Sequence, residues 1–116
     1  MSPTDLAKQY FAHMRAGDLG VVDLFHDDAV LLGLGRITRG RDAIRDFYAG
    51  AIEEGRPQPG EPLALLADER RVFAQVEIQL GDGGCVHAVD LFEVDAGRIR
   101  QLTYFIADLP AEDGEA

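Results

Sequence analysis

Basic side chains are scarce in this 116-residue chain: Lys and Arg total 11 against 21 Asp and Glu, a formal net charge of -10. Such a chain repels phosphate backbones and anionic lipid, so neither nucleic acid nor a membrane surface is an expected partner. Long apolar runs are also missing. Stretches such as AVLLGLG at 29–35 fall far short of the roughly 20 residues a membrane-spanning helix requires. No secretory pattern opens the chain, and a cytoplasmic location is expected. The single cysteine, Cys85, excludes an internal disulfide and any multi-cysteine metal site, and fits a reducing compartment. No His, Asp and Glu spacing suggests a metal centre and no glycine-rich loop follows a strand, so no metal or cofactor is expected. Asparagine does not occur at all.

What is present suffices for one domain with its own core, spanning 1–108, followed by an acidic tail at 109–116 that reads as loose. Ser2, Pro3 and Asp5 mark a helix start, Leu6, Ala7, Tyr10, Phe11 and Met14 recur at helical spacing, and Gly17 is a stop. A short helical turn over 19–25 precedes a first hairpin or bent strand between 29 and 40. A second amphipathic helix over 42–54 carries Ile44, Phe47, Tyr48, Ala51 and Ile52, ended by Gly55 and the loop RPQPGEP. Four strands follow, at 63–67, 71–80, 85–94 and 98–107, separated by turn residues. Helices first and a meander after imply an α+β fold, with helices packed on one face of a curved, mainly antiparallel sheet.

Within the strand 85–94, Asp90 stands among Val89, Leu91 and Phe92, where a carboxylate must find partners or hold its proton. Treating Asp82-Gly83 as a two-residue turn pairs Leu80 with Cys85 and places Phe73, Gln75 and Glu77 on the same face as Asp90 and Phe92. A three-residue turn at Asp95-Ala96-Gly97 then pairs Val94 with Arg98 and Asp90 with Leu102, adding Arg100, Leu102 and Tyr104 to that face. Apolar walls with a few polar groups suit a ligand pocket, to which helix two adds Phe47. The other face, Val72, Ala74, Val76, Ile78 and Leu80, is aliphatic, and a homodimer through this outer side of the sheet is expected. Alternation alone fits nearly as well with the aliphatic face as the only core and Gln75, Glu77 and Asp90 in solvent.

The segments AGDLGVVDLFHDDAVL (16–31), RGRDAIRDFY (39–48) and VDLFEVDAGRIRQLTYF (89–105) resemble the NTF2-like superfamily of cone-shaped α+β domains, in its SnoaL-like and ketosteroid-isomerase-like branch. The resemblance covers nearly the whole chain and implies a cone enclosing a pocket for a small apolar molecule. It is weak for activity, since this scaffold hosts many chemistries. Carried over residue by residue, it implies that Tyr10 and Asp90 are the pair that donates to an enolate oxygen. Ketosteroid isomerase itself keeps one carboxylic acid protonated in an apolar site so that it can donate a hydrogen bond in this way. The aspartate that serves such isomerases as base falls at Gly33, which has no proton acceptor.

Another residue would then move the proton, and the register nominates Glu77, diagonal to Asp90, completing a catalytic set of Tyr10, Asp90 and Glu77. The expected ligand is a cyclic carbonyl or polyketide-like compound, touched by Phe47, Phe73, Gln75, Phe92, Arg100, Leu102 and Tyr104. A binding module without turnover explains the absent base equally directly. An epoxide-hydrolase-like reading could use Asp90, Arg100 and Glu77, but lacks the asparagine such enzymes employ. His13, His26 and His87 read as surface or interface residues. Arg36, Arg39, Arg41 and Arg45 are interleaved by Asp42 and Asp46 and read as solvated ion pairs.

Overall fold

A computed structural model describes residues 2–108; the tail at 109–116 lies outside them. Helix α1 (Pro3–Ala16) begins where the Ser2 side chain accepts from the Asp5 N–H and ends at Gly17, whose φ of 64° closes the helix through bonds to His13 and Met14. A 3-10 turn (Leu19–Leu24) leads into β1 (Phe25–Gly33) and β2 (Arg36–Arg39), then α2 (Arg41–Gly50). The second helical pattern does not run on as α-helix to 54: Ala51–Gly55 is a π-helical turn that widens its end. Short β3 (Gln58–Pro59) forms inside the proline-rich loop, followed by β4 (Ala64–Ala67), β5 (Arg71–Gln79), β6 (Cys85–Asp95) and β7 (Arg98–Ile106).

The strands make one sheet in the order β2-β1-β7-β6-β5-β3, with β4 also on β5. All pairings are antiparallel except β1 with β7. The two helices cover one face, where Leu6, Tyr10, Phe11, Met14, Ile44 and Tyr48 meet Val72, Ala74, Val76, Phe92, Ile99 and Leu102 in a single buried core.

Both expected hairpin registers are corrected. In β5–β6, Gln79 rather than Leu80 opposes Cys85, and Ala74 opposes Asp90. The Asp82 carboxylate accepts from the Gly84 N–H at 2.8 Å, and Leu80 bonds Gly84 and Gly83, so the connection takes residues 80–84 instead of a tight two-residue turn. This one-residue slip inverts the faces. Val72, Ala74 and Val76 point into the core, while Phe73, Gln75 and Glu77 are exposed on the outer side. The aliphatic row of β5 is therefore core, not the outer face expected to dimerise.

In β6–β7 two deviations add. Ala96 and Gly97 both adopt positive φ, 52° and 78°, which makes a two-residue turn pairing Asp95 with Arg98. A bulge between Glu93 and Val94 then shifts the register once more, so Asp90 opposes Tyr104 and Phe92 opposes Leu102. Two shifts restore parity, which is why Leu102 and Tyr104 keep the face expected of them. The bulge leaves Arg100 outside, bonded to Asp95 at 3.2 Å.

Candidate functional site

The cavity opens between the ends of β5, β6 and β7, the β1–β2 turn and the π-helical end of α2. It has a volume of about 250 Å³ and is almost wholly apolar, with Met14, Phe47, Pro57, Ile78, Leu80 and Ile106 among its walls. Among the described residues its polar side chains are four: Tyr10 from α1, Tyr48 from α2, Asp90 from β6 and Tyr104 from β7.

The three phenols form a triangle of hydroxyls. Tyr10 Oη lies 2.9 Å from Tyr48 Oη and 2.7 Å from Tyr104 Oη, and Tyr48 and Tyr104 are also hydrogen-bonded to each other. Packing places the oxygens: the Tyr10 ring meets Phe11 and Phe92 edge-on at 5.2 and 5.1 Å, and Tyr48 meets Phe47 at 5.1 Å. Burial raises the pKa of all three phenols; the Tyr104 and Tyr48 hydroxyls and Asp90 raise Tyr10 further, and the Tyr48 hydroxyl and Asp90 raise Tyr104, both to well above the ordinary range. All three are therefore protonated at neutral pH.

Asp90 is 1% exposed, and its Oδ1 has no hydrogen-bond partner among the described residues. Desolvation alone lifts its carboxyl from 3.8 to about 7. A carboxyl in that range exchanges protons readily at neutral pH, unlike the phenols beside it.

Of the other residues expected at the site, Phe47 lines the cavity, while Phe92 and Leu102 are fully buried on the same sheet face, beneath it. Glu77, Phe73, Gln75 and Arg100 are not brought to it, because of the slip and the bulge. Glu77 instead stands on the outer face with its Oε2 3.5 Å from His87 Nε2. Asp90, Glu77 and Arg100 are thus dispersed over two faces, which removes the array an epoxide-hydrolase-like reading needs. Sequence reasoning missed Tyr48 as a site residue. The available signal was helical spacing, since Tyr48 follows the core residue Ile44 by four positions and Tyr10 was already assigned to the same interior.

At Gly33 φ is +144°, and a Cβ there would stand 2.8 Å from the Tyr104 Cβ. The Tyr104 side chain leaves no room for one, so the glycine and the third hydroxyl belong together. Among the described residues no cluster of His, Cys, Asp and Glu could hold a metal ion, and no helix is long and apolar enough to cross a membrane.

The SnoaL-like domain family matches residues 7–102. This chain belongs to that family. The SnoaL-like domain has the NTF2-like cone, and solved structures agree. A protein from Sphaerobacter thermophilus shares 27% identity at a TM-score of 0.81, covering 93% of this chain and 98% of its own. The epoxide hydrolase/cyclase-like enzyme SalBIII of salinomycin pyran-ring formation shares 22%, with 90% of each chain covered and a TM-score of 0.79. A candidate ketosteroid isomerase from Kribbella flavida DSM 17836 shares 23%, covering 92% of this chain and 78% of its own at a TM-score of 0.80. Among curated proteins the SnoaL-like chain has no sequence match.

Proposed function

We propose that this SnoaL-like protein takes a small apolar cyclic carbonyl compound, polyketide-like in class, and moves a proton on it, with Asp90 as both base and acid. The observation that carries this reading is the unpartnered Asp90 oxygen, buried beside an apolar cavity whose other polar side chains are three phenols. The carboxylate would take the proton from the carbon next to the carbonyl. The C–H electron pair becomes the carbon–carbon double bond of an enolate as the carbonyl π pair moves to oxygen, and the carboxylic acid then returns the proton at carbon as the carbonyl re-forms. No oxidant or second carboxylate is required, and the family's usual base position, Gly33, can remain empty of function.

The tyrosines would hold the oxygen on which charge develops. Three hydroxyls in a closed triangle can spend all three protons on one another. A ligand oxygen must therefore open one edge, and Tyr10–Tyr48 at 2.9 Å is longer than Tyr10–Tyr104 at 2.7 Å. That closure also favours a second reading: a binding module in which the triangle stays intact and the ligand is held without turnover.

A cyclic ketone incubated in deuterated buffer separates the two. Exchange next to the carbonyl should rise as pH passes through about 7, where Asp90 loses its proton, and Asp90→Asn should slow it by at least about a hundred-fold. A ketone that binds and comes back without deuterium supports the binding module. Exchange that persists in Asp90→Asn, or is flat with pH, overturns the role of Asp90.

A further inference from the structure

The cavity continues onto the surface. A polar groove carrying Arg36, Arg39, Asp46 and Glu54 shares Phe47 and Gly55 with it. Where the two meet, the Arg36 guanidinium lies 5.9 Å from the centre of the Phe47 ring. On the other side of Gly55, Arg56 lays its guanidinium over Gly81, so closely that a Cβ on Gly81 would stand 2.6 Å from Nε. Its chain neighbour Pro57 and the residue before Gly81, Leu80, are both cavity wall. Arg36 thus stands where cavity and groove join, and Arg56 beside wall residues of the same cavity.

Of the other three arginines of the 36–45 segment, two are paired, while Arg39, in the groove, has no carboxylate within 4.0 Å among the described residues. Arg41 pairs with Asp27 at 3.0 Å and Arg45 with Asp42 at 3.9 Å. Among the described residues neither Arg36 nor Arg56 has a carboxylate within 4.0 Å, and Asp46 and Glu54 stay outside that distance although they line the groove. A guanidinium keeps its charge and its five donors at any ordinary pH. In a chain of net charge -10 the long-range field opposes an anion, but salt screens that field beyond roughly 8 Å and leaves the local contact to decide.

We propose that the ligand is an amphiphile: an apolar ring system seated against the tyrosines and Asp90, bearing a carboxylate that leaves the mouth beside Arg36 and Arg56. This rests on the reading of the cavity as a site for an apolar ring compound. These cations select the acid over its neutral parent.

Matched probes test it: naphthol and its carboxylated analogue, hydroxynaphthoic acid, titrated calorimetrically at neutral pH and physiological salt. The protein should bind the acid at least as tightly as naphthol. The double variant Arg36→Gln, Arg56→Gln should weaken the acid by about three- to ten-fold and leave naphthol within two-fold, which also reports an intact fold. Asp46→Asn with Glu54→Gln should tighten the acid alone. Weaker binding of the acid than of naphthol, or equal losses for both probes in the arginine variant, overturns the proposal while leaving the cavity reading standing. Failure of naphthol itself to bind overturns the cavity reading, and this one with it.

Discussion

Gly33 shows how one residue carries two kinds of information. Read as sequence, it marks a missing base; in three dimensions it is the position whose lack of a side chain admits Tyr104. Putting an aspartate back should therefore fail to restore an isomerase-type base. With φ at +144° and the Tyr104 Cβ 2.8 Å from the new Cβ, Gly33→Asp should lose about 2 kcal/mol or more of stability and displace the Tyr104 hydroxyl. Thermal unfolding together with the Tyr104 ring signals in NMR checks this; a variant as stable as the parent, with the ring unmoved, refutes it. Asp90 was legible because a carboxylate among apolar strand residues is conspicuous in any register. Tyr48 was not, because nothing local distinguishes a tyrosine that fills core from one whose hydroxyl completes a network with α1 and β7.

At the scale of elements, β4 to β7 and the first helix were readable from periodicity and caps, but the start of β1 at Phe25, the two-residue β3 and strand register were not. The error sits in the turns: the Asp82 side chain captures the Gly84 N–H and lengthens the loop, and Ala96 accepts a left-handed conformation despite its Cβ. Both outcomes depend on fractions of a turn's energy, yet each moves a whole strand by one residue. The end of β7 is tied back to β6 in a way no pattern announced. Asp108 accepts from the His87 N–H and faces His87 Nδ1, each at 2.7 Å, with Glu77 on the other ring nitrogen. The bond to Asp108 raises the His87 pKa, with Glu77 adding to it, and bonds to His87 lower that of Asp108. The contribution of His87 is full below the usual histidine range and fades as pH rises through its raised midpoint. That of Asp108 is full above the usual carboxylate range and fades as pH falls through its lowered one. The clasp should thus be strongest on the acid side of neutrality. Asp108→Asn should lower the His87 midpoint in a proton NMR titration, and an unmoved midpoint would show that the clasp does not form.

For the whole molecule, β5 trades its two rows while β6 and β7 keep theirs, so the uncovered face is not the aliphatic one alternation suggested. The outer face carries Phe73, Leu91 and Phe105 along with Leu66 of β4, and Phe105 is 54% and Leu66 73% exposed. Apolar area of that kind on one side of a single-layer sheet is the property of a self-associating surface, and we propose that two copies pair through it. Light scattering should give twice the chain mass, and Leu91→Asp should halve it while leaving naphthol binding intact, since Leu91 points away from the cavity. A monomeric parent, or a variant still at the dimer mass, rules the pairing out.

By itself the sequence determined the class of the fold and most of its elements, and marked Asp90 as the carboxylate to be explained, because these follow from composition, hydrophobic period and caps within a few neighbouring residues. The tertiary structure decided which side of β5 is core, that Glu77 and Arg100 lie outside, and that three tyrosines from α1, α2 and β7 meet at one point. Those outcomes turn on a side-chain bond in one turn, a bulge in one strand and the meeting of elements far apart in the chain, and none has a local signature.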